Sequence, residues 1–557
     1  MSMLNIGTTA LTATQSALST TSHNISNINT EGYNRQRAEF STYPPDFNGS
    51  HYIGSGVQIG SVERLFDGFL ATQIRTFTAQ ESQSDTILNF AHQVDDLLGS
   101  DELSLSSGLE GFFNAMHEVA NDPTSISTRQ VLLTQAEILA TRFNTLSQQL
   151  DGFTDQVNTN LQTNVTDVNN LTQGIADMNQ AIVGASNGSD VPPNDLLDKR
   201  DKLITDLSKL VSVTTVPDGN GSIGVFVGNG QAVVLGSTAI NLTIIPNAVD
   251  PTLNDIGYGP TGVNVTSQIS GGSLGGLLTV RSDIILSSKS ELDALALSVA
   301  TQLNDQHQKG ITLTGALGGN LFNPTAADAG SISLAITDPR ALAVAFPVAS
   351  AAATLNTGFG QVEIDSIDGV PPLTLPYLAA NVSLTFDSST NQYTVADGVD
   401  TATFAYAPAS QSGLKVDLGA LTAAWTTPVE LSVKLSGSPA NADVFTLGNS
   451  AAIGDNRNAL ALAELQTSKI LNGGTQTFGD AYGVVVAKVA TRTNQADISQ
   501  RTQQGLLDQT VLRYESVSGV NLDEEAANLI RFQQSYQAAA QIITVSTTVF
   551  NALINAI

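Results

Sequence analysis

The sequence predicts an α+β multidomain chain with terminal coiled-coil helices, a core domain of long bundled helices, and an inserted β-rich outer domain, a sandwich or a barrel. Three observations carry that expectation. Met1 to Thr30 and Phe532 to Ile557 contain no Asp, Glu, Lys or Arg in a chain of net charge -28, and both repeat apolar residues every seven positions. A periodicity of three and four persists from about Ser127 to Val183. Between Leu321 and Ser450 the only basic residues are Arg340, Lys415 and Lys434, and short alternating runs replace helical spacing.

The N-terminal stripe is Leu4, Leu11, Leu18 and Ile25, with Ala10 and Ala17 beside it. The C-terminal one is Leu522, Leu529, Tyr536, Ile543, Phe550 and Ile557, with Ala526, Ala540 and Ile554 between. Such spacing marks a coiled-coil seam. Charges beside a seam ordinarily keep it soluble and select its partner, so an uncharged seam suits burial on several sides. Ordering both ends costs more backbone entropy than one covered face recovers. The termini are therefore expected to be mobile in the isolated chain and to order among neighbouring copies; an intramolecular pairing of the two ends is the alternative.

Along the chain, Gly32 can take the left-handed conformation that stops a helix before Tyr33. Gln36 to Arg64, interrupted by Pro44-Pro45, Gly49, Gly54 and Gly56, reads as strands and loops. Helical spacing resumes through Phe69, Ile74, Phe77, Ile87, Phe90, Val94 and Leu97. In the long helix, Phe143, Leu146, Leu150, Phe153, Val157, Leu161, Val165, Val168, Leu171, Ile175, Met178 and Ile182 share a face. Ala185-Ser186-Asn187-Gly188-Ser189 ends it. The next helix, Leu196 to Val211, should return antiparallel, with Asp195/Lys199 and Asp198/Lys202 as exposed ion pairs at i, i+4. Hairpin turns are expected at Asp218-Gly219-Asn220-Gly221 and Gly228-Asn229-Gly230. A helix follows over Leu277 to His307, then the β-rich insertion, then helices over Arg457 to Ile470 and about Tyr482 to Val517. The expected domains are an axial helix at 1–35, a helical core at 36–309 with a β subregion at 212–270, a β-rich domain at 310–450, the returning core at 451–519, and a second axial helix at 520–557.

Composition excludes several classes of function. A pI near 4.3 opposes binding to nucleic acid or anionic lipid. With no cysteine, disulfides, thiolate metal sites and a Cys nucleophile are all absent. His23, His51, His92, His117 and His307 are scattered without zinc-helix spacing and read as surface or partly buried polar residues. The glycine clusters lack the Lys-Ser/Thr of a phosphate loop and read as turns. No catalytic, metal or cofactor site is expected, and no enzyme. MSMLNIGTTALTATQ has neither a basic nor a continuous apolar region, so no cleaved signal is expected, and no stretch of about 18 apolar residues offers a membrane span.

Ser22-His23-Asn24-Ile25-Ser26-Asn27-Ile28-Asn29-Thr30-Glu31-Gly32-Tyr33-Asn34-Arg35-Gln36 resembles the N-terminal signature of the bacterial flagellar rod, hook and hook-associated axial proteins. Ser518 to Glu525 with Leu529 to Ala538 resembles the matching C-terminal signature. Tyr33-Asn34-Arg35-Gln36 is closer to the hook-associated branch than to the hook protein. Pro193 to Asp201, Gly275 to Leu278 and Gly454 to Leu460 agree, whereas the resemblance is weak across Leu321 to Ser450. Ser26 stands where Ala is familiar, and Glu31 where Pro is common. The resemblance implies a structural protein at the junction of hook and filament. It would be exported unfolded from the cytoplasm by the flagellar type III apparatus and assembled outside the cell around an axial channel. The implied partners are further copies of the chain, the hook protein and a second hook-filament junction protein. The sticky C-terminal helix is expected to be held by a small cytosolic export chaperone. Asn24, Asn27 and Asn29 would hydrogen-bond between subunits, or else form helix surface and cap. A secreted β-rich adhesin or carbohydrate-binding protein is the competing reading.

Overall fold

The computed structural model describes residues 3–47, 52–101, 103–186 and 192–556. Gly49, His51, Asn187 to Ser189 and Ile557, all named above, lie outside them. Two compact units are present, one drawn from residues 1–92, 154–284 and 492–557, the other from residues 93–153 and 285–491.

In the first unit, α1 (Met3–Ser26) leads into a ribbon of β1 (Gln36–Thr42) and β4 (Val57–Arg64), paired antiparallel from Gln36 opposite Arg64 to Thr42 opposite Val57. The short strands β2 (Asp46–Phe47) and β3 (Tyr52–Ile53) extend it. Next come α2 (Gly68–Gly99), which ends in the second unit, and α4 (Ile126–Ser186), which begins there. α5 (Asn194–Leu210) returns along α4: Asn179 meets Arg200, and Gly174 meets Leu203, so the two run antiparallel as their short connection demands. The expected face of α4 is buried at Val157, Leu161, Val165, Val168, Ile175 and Ile182.

Two small sheets follow: β5 (Val213–Pro217), β6 (Ile223–Val227), β7 (Gln231–Leu235) and β8 (Thr238–Ala239) in order, then β11 (Val263–Asn264), β10 (Asn254–Tyr258) and β9 (Leu242–Pro246). The β5–β6 and β6–β7 hairpin turns fall where the glycines place them, and a third turn, between β7 and β8, is added. The polar side of α4 docks these sheets. Asn158, Asn169 and Asn179 each donate to a carbonyl, of Thr252, Leu242 and Ile223, and each accepts from an N–H, of Asn254, Leu242 and Ile223. At Leu242, on the edge strand β9, the side-chain amide replaces the missing neighbour of the sheet.

α6 (Gly272–Thr279) begins where Gly272, at φ +60°, lies against the Leu210 carbonyl; an added Cβ would meet that carbon at 2.2 Å. The single helix expected over Leu277 to His307 is broken by a π-helical turn, Val280–Leu286, before α7 (Ser287–His307). Nothing in local spacing announces such a turn.

In the second unit, α3 (Leu105–Asn121), which the sequence reading did not anticipate, packs on α9 (Arg457–Glu464). α9 stops six residues before the expected Ile470. Phe112 and Phe113 are fully buried, and Phe113 stacks on Phe478, the first residue of α10 (Phe478–Ser518). His307 is fully buried rather than surface: its Nδ1 meets the Gly319 carbonyl at 2.7 Å and its Nε2 accepts the Ala343 N–H at 2.9 Å.

The β-rich region is a sandwich. One sheet runs β12 (Val348–Ala352), β19 (Val444–Asn449), β14 (Val382–Asp387), β15 (Gln392–Ala396), β16 (Thr401–Ala405); the other runs β13 (Gln361–Ile367), β18 (Leu431–Ser436), β17 (Leu414–Asp417). Alternate residues meet in the core, Val382, Leu384 and Phe386 from one sheet and Leu431, Val433 and Leu435 from the other. The short α8 (Leu418–Leu421) follows β17.

Candidate functional site

α1 and α11 (Leu522–Ala556) run antiparallel in the first unit: a Cβ on Gly7 would meet Ile543 at 2.8 Å, while Asn24 hydrogen-bonds Glu525 near the other end. The chain therefore pairs its own two ends. The residues that do so on α1 are not the leucines. Gly7, Ala13, Thr14, Ala17, Thr21 and Asn24 are buried, whereas Leu4 is 41% exposed and Leu11, Leu18 and Ile25 are only half-buried. Small side chains let the backbones approach closely, and that displaces the larger stripe to one side. On α11, Leu529, Phe532, Tyr536 and Ile543 are half-buried, Ile543 against Gly7 of α1, and Ala539 is buried; Leu522, Phe550 and Ile554 are exposed.

Where α1 ends, the three segments that carry the signatures converge. α1 stops at Ser26, earlier than Gly32, and a turn continues: the Asn27 N–H donates to the His23 carbonyl, Thr30 to Asn27, Tyr33 to Thr30. Gly32 does adopt φ +81° there. Asn24 is 1% exposed, and its amide is spent within the chain. Its Nδ2 donates to the Gln36 carbonyl at 2.8 Å and to Glu525 at 3.2 Å; its Oδ1 accepts from the Gln36 N–H at 3.0 Å and from the Tyr33 hydroxyl at 2.7 Å. The expectation that Asn24 bonds between subunits is corrected accordingly. Asn27 is tied to His23 and Thr30, and Asn29 is exposed.

Arg35 reaches Glu525 at 2.7 Å and Glu524 at 2.6 Å, clamping the start of α11. Its N–H also donates to the Ser518 carbonyl at the end of α10. Asn34 donates twice to Asp198, and the Tyr514 hydroxyl donates to Asn34. Arg64 bridges Asp198 at 2.9 Å and Asp201 at 2.8 Å, with its guanidinium 4.1 Å from the Phe66 ring. The anticipated Asp195/Lys199 and Asp198/Lys202 pairs do not form. Asp195 instead meets His23 and Gln36, and Lys202 meets Glu31 and Asp206. An i, i+4 rule sees only the helix surface, whereas tertiary partners cover this one.

Burial pushes the Asp198 carboxyl above its usual range against the pull of Asn34 and Arg64. It raises Tyr33 strongly, reinforced by Asp195, Asp198 and Glu525, and holds Tyr514 up at about 12. Both tyrosines act as neutral donors. Two clefts flank the Asn27–Tyr33 turn, of about 550 and 620 Å³, lined among others by Arg75, Tyr514 and Ser518 and by His23, Met178 and Leu203. Gln36, Arg64, Asp198, Tyr514 and Glu525 escaped the sequence reading as site residues. Their only signal is membership of, or nearness to, the signature segments. Among the described residues, no three His, Asp or Glu side chains are grouped to hold a metal, and no helix is long and apolar enough to cross a membrane. The arrangement is a clasp, with no nucleophile beside a base.

Comparisons with known proteins agree on one family. The family described as flagellar hook-associated protein FlgK helical domain matches residues 91–322, flagella basal body rod protein matches 4–34, and flagellar basal body rod FlgEFG protein C-terminal matches 513–556. Flagellar hook-associated protein 1 of Salmonella typhimurium is 32% identical over 568 residues, spanning 100% of this chain and 99% of that one. Its counterpart in Escherichia coli is 31% identical with the same spans, and that of Bacillus subtilis 27% over 98% and 96%. In fold, the flagellar hook junction protein FlgK from Burkholderia pseudomallei superposes with TM-score 0.69 at 24% identity, covering 80% of this chain and 100% of that one.

Proposed function

The chain belongs to the flagellar hook-associated protein 1 family, the structural proteins of the hook-filament junction, and we propose that its paired terminal helices are the part by which copies assemble. The observation that carries this reading is the division of labour on those helices. The clasp at Asn24, Arg35 and Glu525 and the small-residue seam use one side of each helix. Leu4 on α1 and Val549, Phe550 and Ile554 on α11, in stretches without a charge, remain exposed, as does Leu522 at the acidic start of α11. Exposed apolar side chains grouped in an uncharged stretch mark an interaction face. Neighbouring copies would cover it, with the Asn, Gln, Ser and Thr side chains between the apolar positions making hydrogen bonds without burying charge.

The finer partners follow from the same surface. The assembled ring or helix would contact the hook protein on one side and the second junction protein on the other, and a cytosolic chaperone would cover the C-terminal helix before export through the type III apparatus. The chain would act outside the cell, at the flagellum. It would catalyse no reaction, in keeping with relatives that are structural flagellar proteins.

The decisive experiment removes the charge-free end of α11 from Phe532 onward in cells that lack the native chain. Detached filaments are the expected outcome; attached, motile filaments overturn the reading.

A further inference from the structure

An asparagine followed by glycine can modify itself. Glycine has no side chain to shield its backbone nitrogen, and that nitrogen can reach the asparagine Cγ to close a five-membered ring. Three such steps lie among the described residues: Asn220-Gly221, Asn229-Gly230 and Asn472-Gly473. All three asparagines are exposed, so access of water does not separate them.

The glycine N–H does. Gly221 donates to the Asp218 carbonyl at 3.2 Å and Gly230 to the Val227 carbonyl at 3.1 Å, in the turns that join β5 to β6 and β6 to β7. The Asn220 carboxamide is engaged too, its Oδ1 accepting from the Ser222 N–H at 3.0 Å and from the Ser222 hydroxyl at 2.7 Å. Attack on Cγ takes the proton off the glycine nitrogen, so an N–H that already donates must first surrender its bond.

At the third step the bonds lie elsewhere. Leu471 and Gln476 face each other across a short hairpin ahead of α10, and the Leu471 carbonyl collects the N–H groups of Gly474, Thr475 and Gln476 at 3.1, 3.0 and 3.3 Å. Gly473 is passed over, and its N–H has no acceptor within the chain. A Cβ at this glycine would meet nothing within 4 Å, which leaves room for the ring. The turn must rotate for the ring to close, and Asn472, held at φ +49°, gives up little by leaving a conformation that is costly for a residue with a side chain. Its Nδ2 is retained by one exposed hydrogen bond, to Gln476 at 2.5 Å.

We infer that Asn472 is a site of spontaneous deamidation in the folded protein. The Gly473 nitrogen bonds to the Asn472 Cγ, the Cγ–Nδ2 bond breaks, and Nδ2 leaves as ammonia with the proton from Gly473. Water then opens the cyclic imide. Opening at Cγ gives aspartate; opening at the backbone carbonyl gives isoaspartate, with the chain rerouted through the side chain. Nothing is oxidised or reduced, and either product adds a negative charge. That charge arises in a cleft of about 340 Å³ that Asn472 lines together with Glu291, Leu295 and Val485, where Glu291 already holds Lys488 at 2.6 Å. The inference does not depend on how copies assemble.

The test ages the purified full-length chain in warm, mildly alkaline buffer, with circular dichroism confirming that it stays folded, and follows the acid formed at each asparagine by peptide mass spectrometry. Asn472 should convert at least about fivefold faster than Asn220 or Asn229, the factor that one backbone hydrogen bond commands. In a parallel sample unfolded in urea the three rates should come together, because the sequence step is the same at each. Equal rates in the folded chain, or the folded ranking persisting in urea, overturn the inference.

Discussion

Single side chains in this protein act mainly by being fully satisfied where water cannot reach. Asn24 exchanges all four of its hydrogen-bonding capacities with Gln36, Tyr33 and Glu525, and so links the end of α1 to the start of β1 and to α11. His307 does the same in the second unit, pinning Gly319 and Ala343 to the end of α7. Burial, with Arg129 adding to it, drops the His307 pKa from 6.5 to about 4. The sign follows directly. The folded unit holds the ring neutral, whereas the unfolded chain takes a proton below 6.5. Stability is therefore intact above pH 6.5 and is lost as pH falls through the interval down to about 4, by about 3 kcal/mol in all. Urea unfolding across that range should show the loss, and His307→Gln should be less stable at pH 7 yet flatten the profile. An unchanged slope in the variant would assign the acid sensitivity to other groups.

At the scale of elements, periodicity made α4 legible because its apolar face repeats for more than fifty residues and its core matches that face. Turn chemistry likewise located two of the three hairpins of the β5–β8 sheet, those before and after β6. The terminal seam was legible as a seam but not as to which residues form it. Two stripes of seven-residue spacing coexist on α1, and hydrophobicity selects Leu4, Leu11 and Leu18. Close packing selects Gly7, Thr14 and Thr21, which apolar patterning passes over. The partners of Asp195 and Asp198 were invisible for a related reason, since they come from residues more than a hundred positions away. Gly7 tests the account of the seam. Any side chain there must displace Ile543, so Gly7→Leu should cost about 2 kcal/mol of pairing. Amide exchange in α1 should then be roughly thirtyfold faster than in the parent chain. Equal protection in both chains would show that the seam does not depend on close approach.

For the whole molecule, the way the sandwich joins the rest says what it is for. The Ser450 N–H donates to the Pro347 carbonyl at 2.8 Å, and Val348 lies opposite Asn449 in the ladder between β12 and β19. The chain thus leaves the sandwich beside the point where it entered. Its core is closed by its own two sheets, with Phe346 at the boundary under the Arg457 guanidinium at 5.4 Å. A domain attached by adjacent ends can be removed without stretching what remains, because the loop that replaces it is short and its closure costs little. Replacing residues 348–449 by a four-residue Gly/Ser linker should preserve the helical signal of the remainder. The proposed assembly through the terminal helices involves none of the excised residues, so cells carrying the shortened chain should keep filaments attached, whereas truncation of α11 should detach them. Filaments lost on excision, with the remaining helices still folded, would make the sandwich part of the contacts that hold the assembly.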